Sequence, residues 1–163
     1  MVEPDLSSLK LRDLLDLQVG IFEELRSREI TRTDNIPTAD LAEFIFCRTY
    51  GWEIEASSKK GYDALIDGNK TVQIKARRCN KRNGSRQLSQ IRDLDGFDFL
   101  AGVLFNHDYS IMRAAIMPNQ VVEDQAKRND YTNSYKFLLR DSVWDDPRVE
   151  DVTDQLSKTM DEL

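Results

Sequence analysis

The sequence predicts a single domain of the α/β or α+β class, with helices at both ends and short strands between them. Its 163 residues are the length of one ordinary domain. Hydrophobic residues make up 40% of the chain and charged residues 32%, as in typical globular proteins. Helical periodicity at both ends encloses a middle region with strand-like alternation. We therefore expect one domain over 1–163, with an N-terminal helix at 9–30, a core at 38–140 and a C-terminal helix at 149–161.

Composition also limits the function classes. No apolar run approaches the ~20 residues that a membrane-spanning helix needs, and the first ten residues do not resemble a secretory signal. We expect a cytoplasmic protein with no membrane partner and with Cys47 and Cys79 as reduced thiols. His107 is the single histidine, so the usual Cys/His spacing of a zinc site cannot be assembled. Any catalytic metal would have to be held by oxygen ligands.

Two helices are expected before the first strand. The segment 9–30 has a broad apolar face that would pack on the core or on a second copy of the chain. Polar residues then break the pattern, and Thr38 is a candidate N-cap for a helix that ends near Tyr50. Asp40 lies in its first turn, near the positive end of the helix dipole. Glu43 lies three residues further on and is therefore a neighbour of Asp40 on the helix surface.

After Gly51 the sequence predicts strands at 52–56, 62–66 and 71–77. The third strand alternates strictly between apolar and polar residues, which is the pattern of a strand with one buried face. Its apolar positions are Val72, Ile74 and Ala76, and its polar positions are Gln73, Lys75 and Arg77. One face of this strand should therefore display an amide and two cations in a row.

The turn between the second and third strands decides where Asp63 points. A two-residue loop of Gly68 and Asn69 would place Asp63 opposite Ile74, on the apolar face. A three-residue loop, 67–69, would place it opposite Gln73, on the polar face. A one-residue change in loop length therefore determines whether Asp63 and Gln73 share a site.

The remaining chain predicts further elements in order. Residues 79–96 read as a long polar loop with a short helix at about 87–94. Apolar runs at 97–105 and 111–117 predict a second pair of strands. Pro118 suits the first turn of a helix over about 119–127, and 135–139 is a candidate strand before the final helix.

The charge is unevenly distributed. The formal net charge is -6, yet the eight basic residues from Lys70 to Arg92 are interrupted by no acidic residue. A basic patch on an acidic body can attract a polyanion locally, because salt screens each patch beyond ~8 Å. The alternative is a solvated basic loop with no partner.

The order of these features resembles the PD-(D/E)xK nuclease superfamily. Its members place an aspartate at the start of one strand, an acidic residue, any residue and a lysine on the next, and often a glutamate on the preceding helix. Glu43, Asp63 and the run Gln73-Ile74-Lys75 match this order over residues 38–78. The later strands match more loosely. The stretches SSKKGYDA, QIKARR, NGSRQL and LLRDSVWD also resemble a small bacterial family of this fold with a D…QxK variant of the motif.

The resemblance implies a restriction-endonuclease-like fold, in which helices flank a central mixed β-sheet. It also implies a metal-dependent endonuclease that acts on DNA, of the restriction or defence type. RNA is the alternative substrate. It implies Mg²⁺ (or Mn²⁺), held by the side chains of Asp63, Gln73 and Glu43 and by the backbone carbonyl of Ile74. Lys75 would orient or deprotonate the attacking water. The catalytic residues it implies are Glu43, Asp63, Gln73 and Lys75.

Gln73 departs from the pattern, because this position is usually acidic. An amide oxygen can ligate a metal but brings no charge. The alternative function is therefore a catalytically degenerate nucleic-acid-binding or regulatory module of the same fold within a larger complex. Contacts to backbone phosphates would come from the basic segment, with candidates Arg77, Arg78, Lys81, Arg82 and Arg86. We expect a homodimer or a subunit of a complex.

Overall fold

The computed structural model describes residues 5–33, 35–55, 61–80, 82 and 84–163. Within these residues it contains four α-helices and eight strands. The helices are α1 (Leu11–Ser27), α2 (Thr38–Tyr50), α3 (Asn119–Gln125) and α4 (Thr153–Asp161). The strands are β1 (Glu53–Ile54), β2 (Ala64–Ile66), β3 (Lys70–Arg78), β4 (Phe99–Phe105), β5 (Ile111–Pro118), β6 (Lys127–Asn129), β7 (Ser134–Lys136) and β8 (Glu150–Asp151).

Six of these strands form one mixed sheet in the order β1-β2-β3-β4-β5-β8. The first three are an antiparallel meander, β4 is parallel to β3, and β5 and β8 add antiparallel pairs. Strands β6 and β7 make a separate small sheet. The predicted α+β class, with helices flanking a sheet, is confirmed. None of the helices in the described ranges is long and apolar enough to cross a membrane.

Alternation along β3 and β4 gives the sheet two buried faces. Ile74 and Val103 belong to a cluster with Ile45 and Phe46 of α2 and Leu156 of α4. The opposite face carries a second cluster, which includes Leu100, Leu104 and Val121 together with Leu88, Ile91, Phe137 and Leu139. Helix α2 and helix α4 therefore cover one face, while α3 and irregular segments cover the other.

The expected short helix at 87–94 does not form. Leu88 and Ile91 are fully buried against the sheet, and their backbone N–H groups donate to the carbonyls of Phe137 (3.0 Å) and Tyr135 (3.1 Å). The backbone therefore bonds to a distant extended segment instead of to itself. Polar residues around these two anchors suggested a helix, and tertiary pairing overrode that local preference.

The loop between β2 and β3 has three residues. Ile66 pairs with Lys70 and Ala64 with Val72, which is the register of the three-residue alternative. Asp67 and Gly68 have positive φ angles of 48° and 71°, which aspartate tolerates and glycine adopts freely. The sequence left this loop open between two and three residues, and the structure takes the three-residue alternative.

Two helices begin at other residues than predicted. Thr38 is the first helical residue of α2 and Pro37 takes the cap position, so the prediction of Thr38 as N-cap is wrong by one residue. The C-terminal helix begins at Thr153, because the preceding residues pair with β5 as the edge strand β8. Helix α1 matches its prediction closely, but none of its residues is buried.

Candidate active site

The candidate site lies where β2 and β3 separate. The regular ladder ends at the Ala64–Val72 pair, and β3 continues beyond it. Asp63 donates its backbone N–H to the Val72 carbonyl at 2.8 Å, and one carboxylate oxygen accepts the backbone N–H of Ile74 at 2.7 Å. The carboxylate thus takes the place of a strand partner, which holds Asp63 firmly against β3.

Gln73 is buried beside this point, with 9% of its surface exposed. Its side-chain Nε2 donates to the carbonyl of Gly61 at 3.1 Å. Because that carbonyl can only accept, the amide nitrogen must face Gly61 and the oxygen must face the other way. The Oε1 atom is buried and has no hydrogen-bond partner among the described residues. A buried acceptor left unpaired costs about 1–3 kcal/mol, so a water, a donor or a cation at this oxygen would stabilise the site.

The backbone carbonyl of Ile74 faces the same edge of β3. In a strand, the N–H and C=O of one residue project to the same side. The N–H of Ile74 points to Asp63, so its carbonyl also projects towards the region that β2 no longer covers. This is the ligand position that the family resemblance implies for Ile74.

Glu43 approaches from α2. Its side chain is 14% exposed and pairs with the guanidinium of Arg32. Burial raises the pKa of Glu43 to about 7, and the negative charges of Asp63 and Asp40 act in the same direction. Arg32 and Lys75 lower it, but their positive charges do not outweigh burial. The electrostatic effect of Asp63 on Glu43 places the two carboxylates in one charged environment.

Asp40 has a different role. One of its carboxylate oxygens accepts the backbone N–H groups of Arg32 and Thr33, each at 2.8 Å, and the hydroxyl of Thr33 at 3.0 Å. These bonds commit Asp40 to the segment before α2. Of the two neighbouring acids, Glu43 is the one whose pKa responds to Asp63 and Lys75.

Lys75 lies two residues after Gln73 on the same face of β3 and is half-buried. Within the described ranges its ammonium group makes no hydrogen bond or ion pair, although its charge acts on Glu43. In register it stands beside Gly102 of β4, where Leu88 and Leu139 fill the space above the backbone. Lys75 is therefore a cation that has no partner in the described ranges and whose charge acts on Glu43.

These groups fit a hard divalent cation. No three Asp, Glu, His or Cys side chains cluster as metal ligands in the part of the chain that the structure describes. The candidate ligands that the resemblance implies combine Asp63 and Glu43 with the Gln73 amide and the Ile74 carbonyl. Mg²⁺ accepts such mixed oxygen ligands and retains several waters, so two carboxylates would be sufficient. The Oε1 of Gln73, buried and without a partner among the described residues, is an acceptor that such an ion would satisfy.

The basic segment is only partly free. Arg86 pairs with Asp141 at 2.6 Å, and Arg78 donates to the His107 carbonyl while its guanidinium lies 4.3 Å from the centre of the Tyr109 ring. The Nε of Arg77 is buried and unpaired within the described residues. Arg82 is exposed, and Lys81 lies outside the described residues. Asp141, the acid that pairs with Arg86, comes from a distant part of the chain.

Two residues at the site were not predicted from the sequence. Arg32 lies in a polar breaker, where nothing signalled a contact with Glu43. The carbonyl of Gly61 orients Gln73, and Gly61 itself adopts φ 69°, close to the backbone of Gly96. A glycine directly before the Tyr62-Asp63 pair was the one available signal for this second contact.

The raised pKa of Glu43 predicts a pH-dependent stability difference. Ionising this carboxyl is harder in the folded state than in the unfolded state, so its contribution to the free energy of unfolding falls as pH rises from about 4.5 to about 7. Glu43→Gln imitates the neutral acid. In chelator, we expect the variant to gain stability relative to wild type between pH 5 and pH 8, measured by urea unfolding.

The matched control for that experiment is Glu24→Gln, which removes an exposed acid that also pairs with an arginine, Arg28. A difference between wild type and Glu43→Gln that stays constant across the pH range would contradict the assignment of a raised pKa to Glu43.

We compared the chain with models of known protein families and with curated proteins. Neither the family models nor the curated proteins match it.

Proposed function

We propose that the protein is a Mg²⁺- or Mn²⁺-dependent nuclease that hydrolyses phosphodiester bonds in DNA. The observation that carries the proposal is the buried Oε1 of Gln73, which has no hydrogen-bond partner among the described residues, while the Nε2 of the same side chain donates to the carbonyl of Gly61. A bound cation would satisfy this acceptor. The carboxylates of Asp63 and Glu43 and the ammonium group of Lys75 are the groups that would bind a metal and a phosphate there.

Each residue would contribute differently to hydrolysis. When bound, a divalent cation neutralises charge on the phosphate and lowers the pKa of a water. Asp63, Glu43, Gln73 and the Ile74 carbonyl would hold it. Lys75, which has no partner in the described ranges, would orient the attacking water and stabilise the charge that develops on the phosphoryl oxygens. The hydrogen bond from Ile74 N–H keeps the Asp63 carboxylate in place during this step.

Substrate affinity would come from the basic residues that follow the site. Arg77 continues the polar face of Gln73 and Lys75, and Arg82 is exposed. Contacts of such residues to backbone phosphates are independent of base sequence and weaken steeply with salt. DNA is the proposed polyanion because the family resemblance implies it. A homodimer would allow two such sites to cut both strands.

The test is incubation of the purified protein with supercoiled, linear and single-stranded DNA, and with RNA, in Mg²⁺ or Mn²⁺. We expect cleavage of DNA that stops in chelator. Salt-sensitive DNA binding with no cleavage in either metal would reject the nuclease and favour the binding module.

Two observations favour that second candidate, a catalytically inactive nucleic-acid-binding module. Gln73 brings no charge to the site, and Arg32 already neutralises Glu43. Both features weaken the attraction for a divalent cation.

Gln73→Glu distinguishes the two candidates. It restores the usual acid and should tighten Mn²⁺ binding by about tenfold or more, because a charged carboxylate replaces the dipole of an amide as a ligand. Titration calorimetry measures the affinity. The matched control is Gln87→Glu, which places an acid at a half-buried position in the segment between β3 and β4. If Gln73→Glu binds Mn²⁺ no more tightly than wild type, Gln73 is not a ligand.

A further inference from the structure

The cluster around Glu43 contains one cation that the proposed reaction does not use. Arg32 reaches Glu43 from the segment before α2. Its side chain is 44% exposed, whereas that of Glu43 is 14% exposed, so the guanidinium lies on the solvent side of the carboxylate. Arg32 therefore covers an acid that the candidate metal site also needs.

The backbone of Arg32 is fixed independently of its side chain. Asp40 is buried, and it accepts the N–H groups of both Arg32 and Thr33. Asp40 and Glu43 lie one helical turn apart on α2, so one acid holds the backbone and the other holds the guanidinium. The guanidinium can leave Glu43 by side-chain rotation alone, because the backbone bonds to Asp40 do not depend on it.

We propose that Arg32 is an internal counter-ion that occupies Glu43 in the metal-free protein and is displaced when a divalent cation binds. This inference rests on the proposed metal site. Arg32 and the ion compete for one carboxylate, since two cations cannot share it without repulsion at close range. Among the described residues, Lys75 is the other cation whose charge acts on Glu43, so without Arg32 the repulsion between Glu43 and Asp63 would be offset less. It also lowers the affinity of the site for metal.

The experiment measures Mn²⁺ binding by calorimetry, without DNA, for wild type, Arg32→Met and Arg28→Met. Methionine keeps most of the aliphatic stem and removes the charge. We expect Arg32→Met to bind Mn²⁺ about fivefold more tightly, the effect of removing a partly exposed ion pair. Arg28→Met is the matched control, because Arg28 also pairs with a glutamate one turn away, on α1. Its affinity should equal that of wild type.

Thermal unfolding checks that each variant folds, and Arg32→Gln provides a second neutral side chain if Arg32→Met does not. Equal or weaker Mn²⁺ binding in the Arg32 variants, with binding lost in Asp63→Asn, overturns the counter-ion role and leaves the metal site intact. If neither wild type nor the Arg32 variants bind Mn²⁺, the proposed metal site fails and the inference fails with it.

Discussion

Replacing Asp63 with asparagine is expected to slow metal-dependent DNA cleavage by about a thousandfold, because a central ligand loses its charge. Asparagine keeps an oxygen that can accept the backbone N–H of Ile74, so the separation of β2 and β3 should persist. The fold should therefore survive while the metal affinity falls. Initial cleavage rates at several Mg²⁺ concentrations measure the loss, and circular dichroism checks the fold.

Asp98→Asn is the matched control for this variant. Asp98 also accepts a backbone N–H of β3 with its carboxylate, that of Thr71 at 2.8 Å, at the start of the strand and before the site residues. Its loss should affect stability more than cleavage. Wild-type cleavage rates in Asp63→Asn would show that the activity lies elsewhere or comes from a contaminant.

The second large effect is expected for Lys75→Met, which should lower the cleavage rate by about 10²- to 10⁴-fold. Methionine fills the space of the half-buried lysine stem but cannot orient water or stabilise charge. Removal of the cation also reduces repulsion at the site, so Mn²⁺ affinity should stay the same or rise. A slow reaction with intact metal binding would show that Lys75 acts in catalysis and is not a metal ligand.

Lys70→Met serves as its control. Lys70 lies on the same strand, is exposed, and approaches the ring of Phe99 to 5.9 Å. A role of Lys75 in the fold alone predicts equal losses of stability and activity. An unchanged rate in Lys75→Met would remove it from the catalytic set.

Much of the fold was predictable from local patterns. The alternation in β3 and the apolar runs of β4 and β5 report burial directly, because a strand with one or two buried faces needs such side chains. The helix α2 was predicted to within one residue. The conformation of the segment between β3 and β4 was not predicted. Leu88 and Ile91 are spaced three apart, which suits a helix. Their backbone hydrogen bonds to residues 135–137 instead hold this segment in an extended conformation.

The candidate site was also predictable in part. Asp63, Gln73 and Lys75 were identified by their spacing and by the family resemblance. The sequence left the loop length open between two and three residues, and the register of β2 and β3 resolves it. Glu43 and Asp40 were equal neighbours on one helix until their partners were seen. Asp40 bonds to the backbone of Arg32 and Thr33, and Glu43 is the acid whose pKa responds to Asp63.

The sequence by itself determined which elements form and which polar residues β3 displays, because both follow from side-chain periodicity along a single segment. Only the tertiary structure decided that the Oε1 of Gln73 is buried with no partner among the described residues, that Arg86 is paired with Asp141, and that Arg32 covers Glu43. These contacts join residues 11 to 55 positions apart, and no local pattern specifies them. They arise when the burial of the two sheet faces brings distant polar groups together, where each must find a partner or remain available for a ligand.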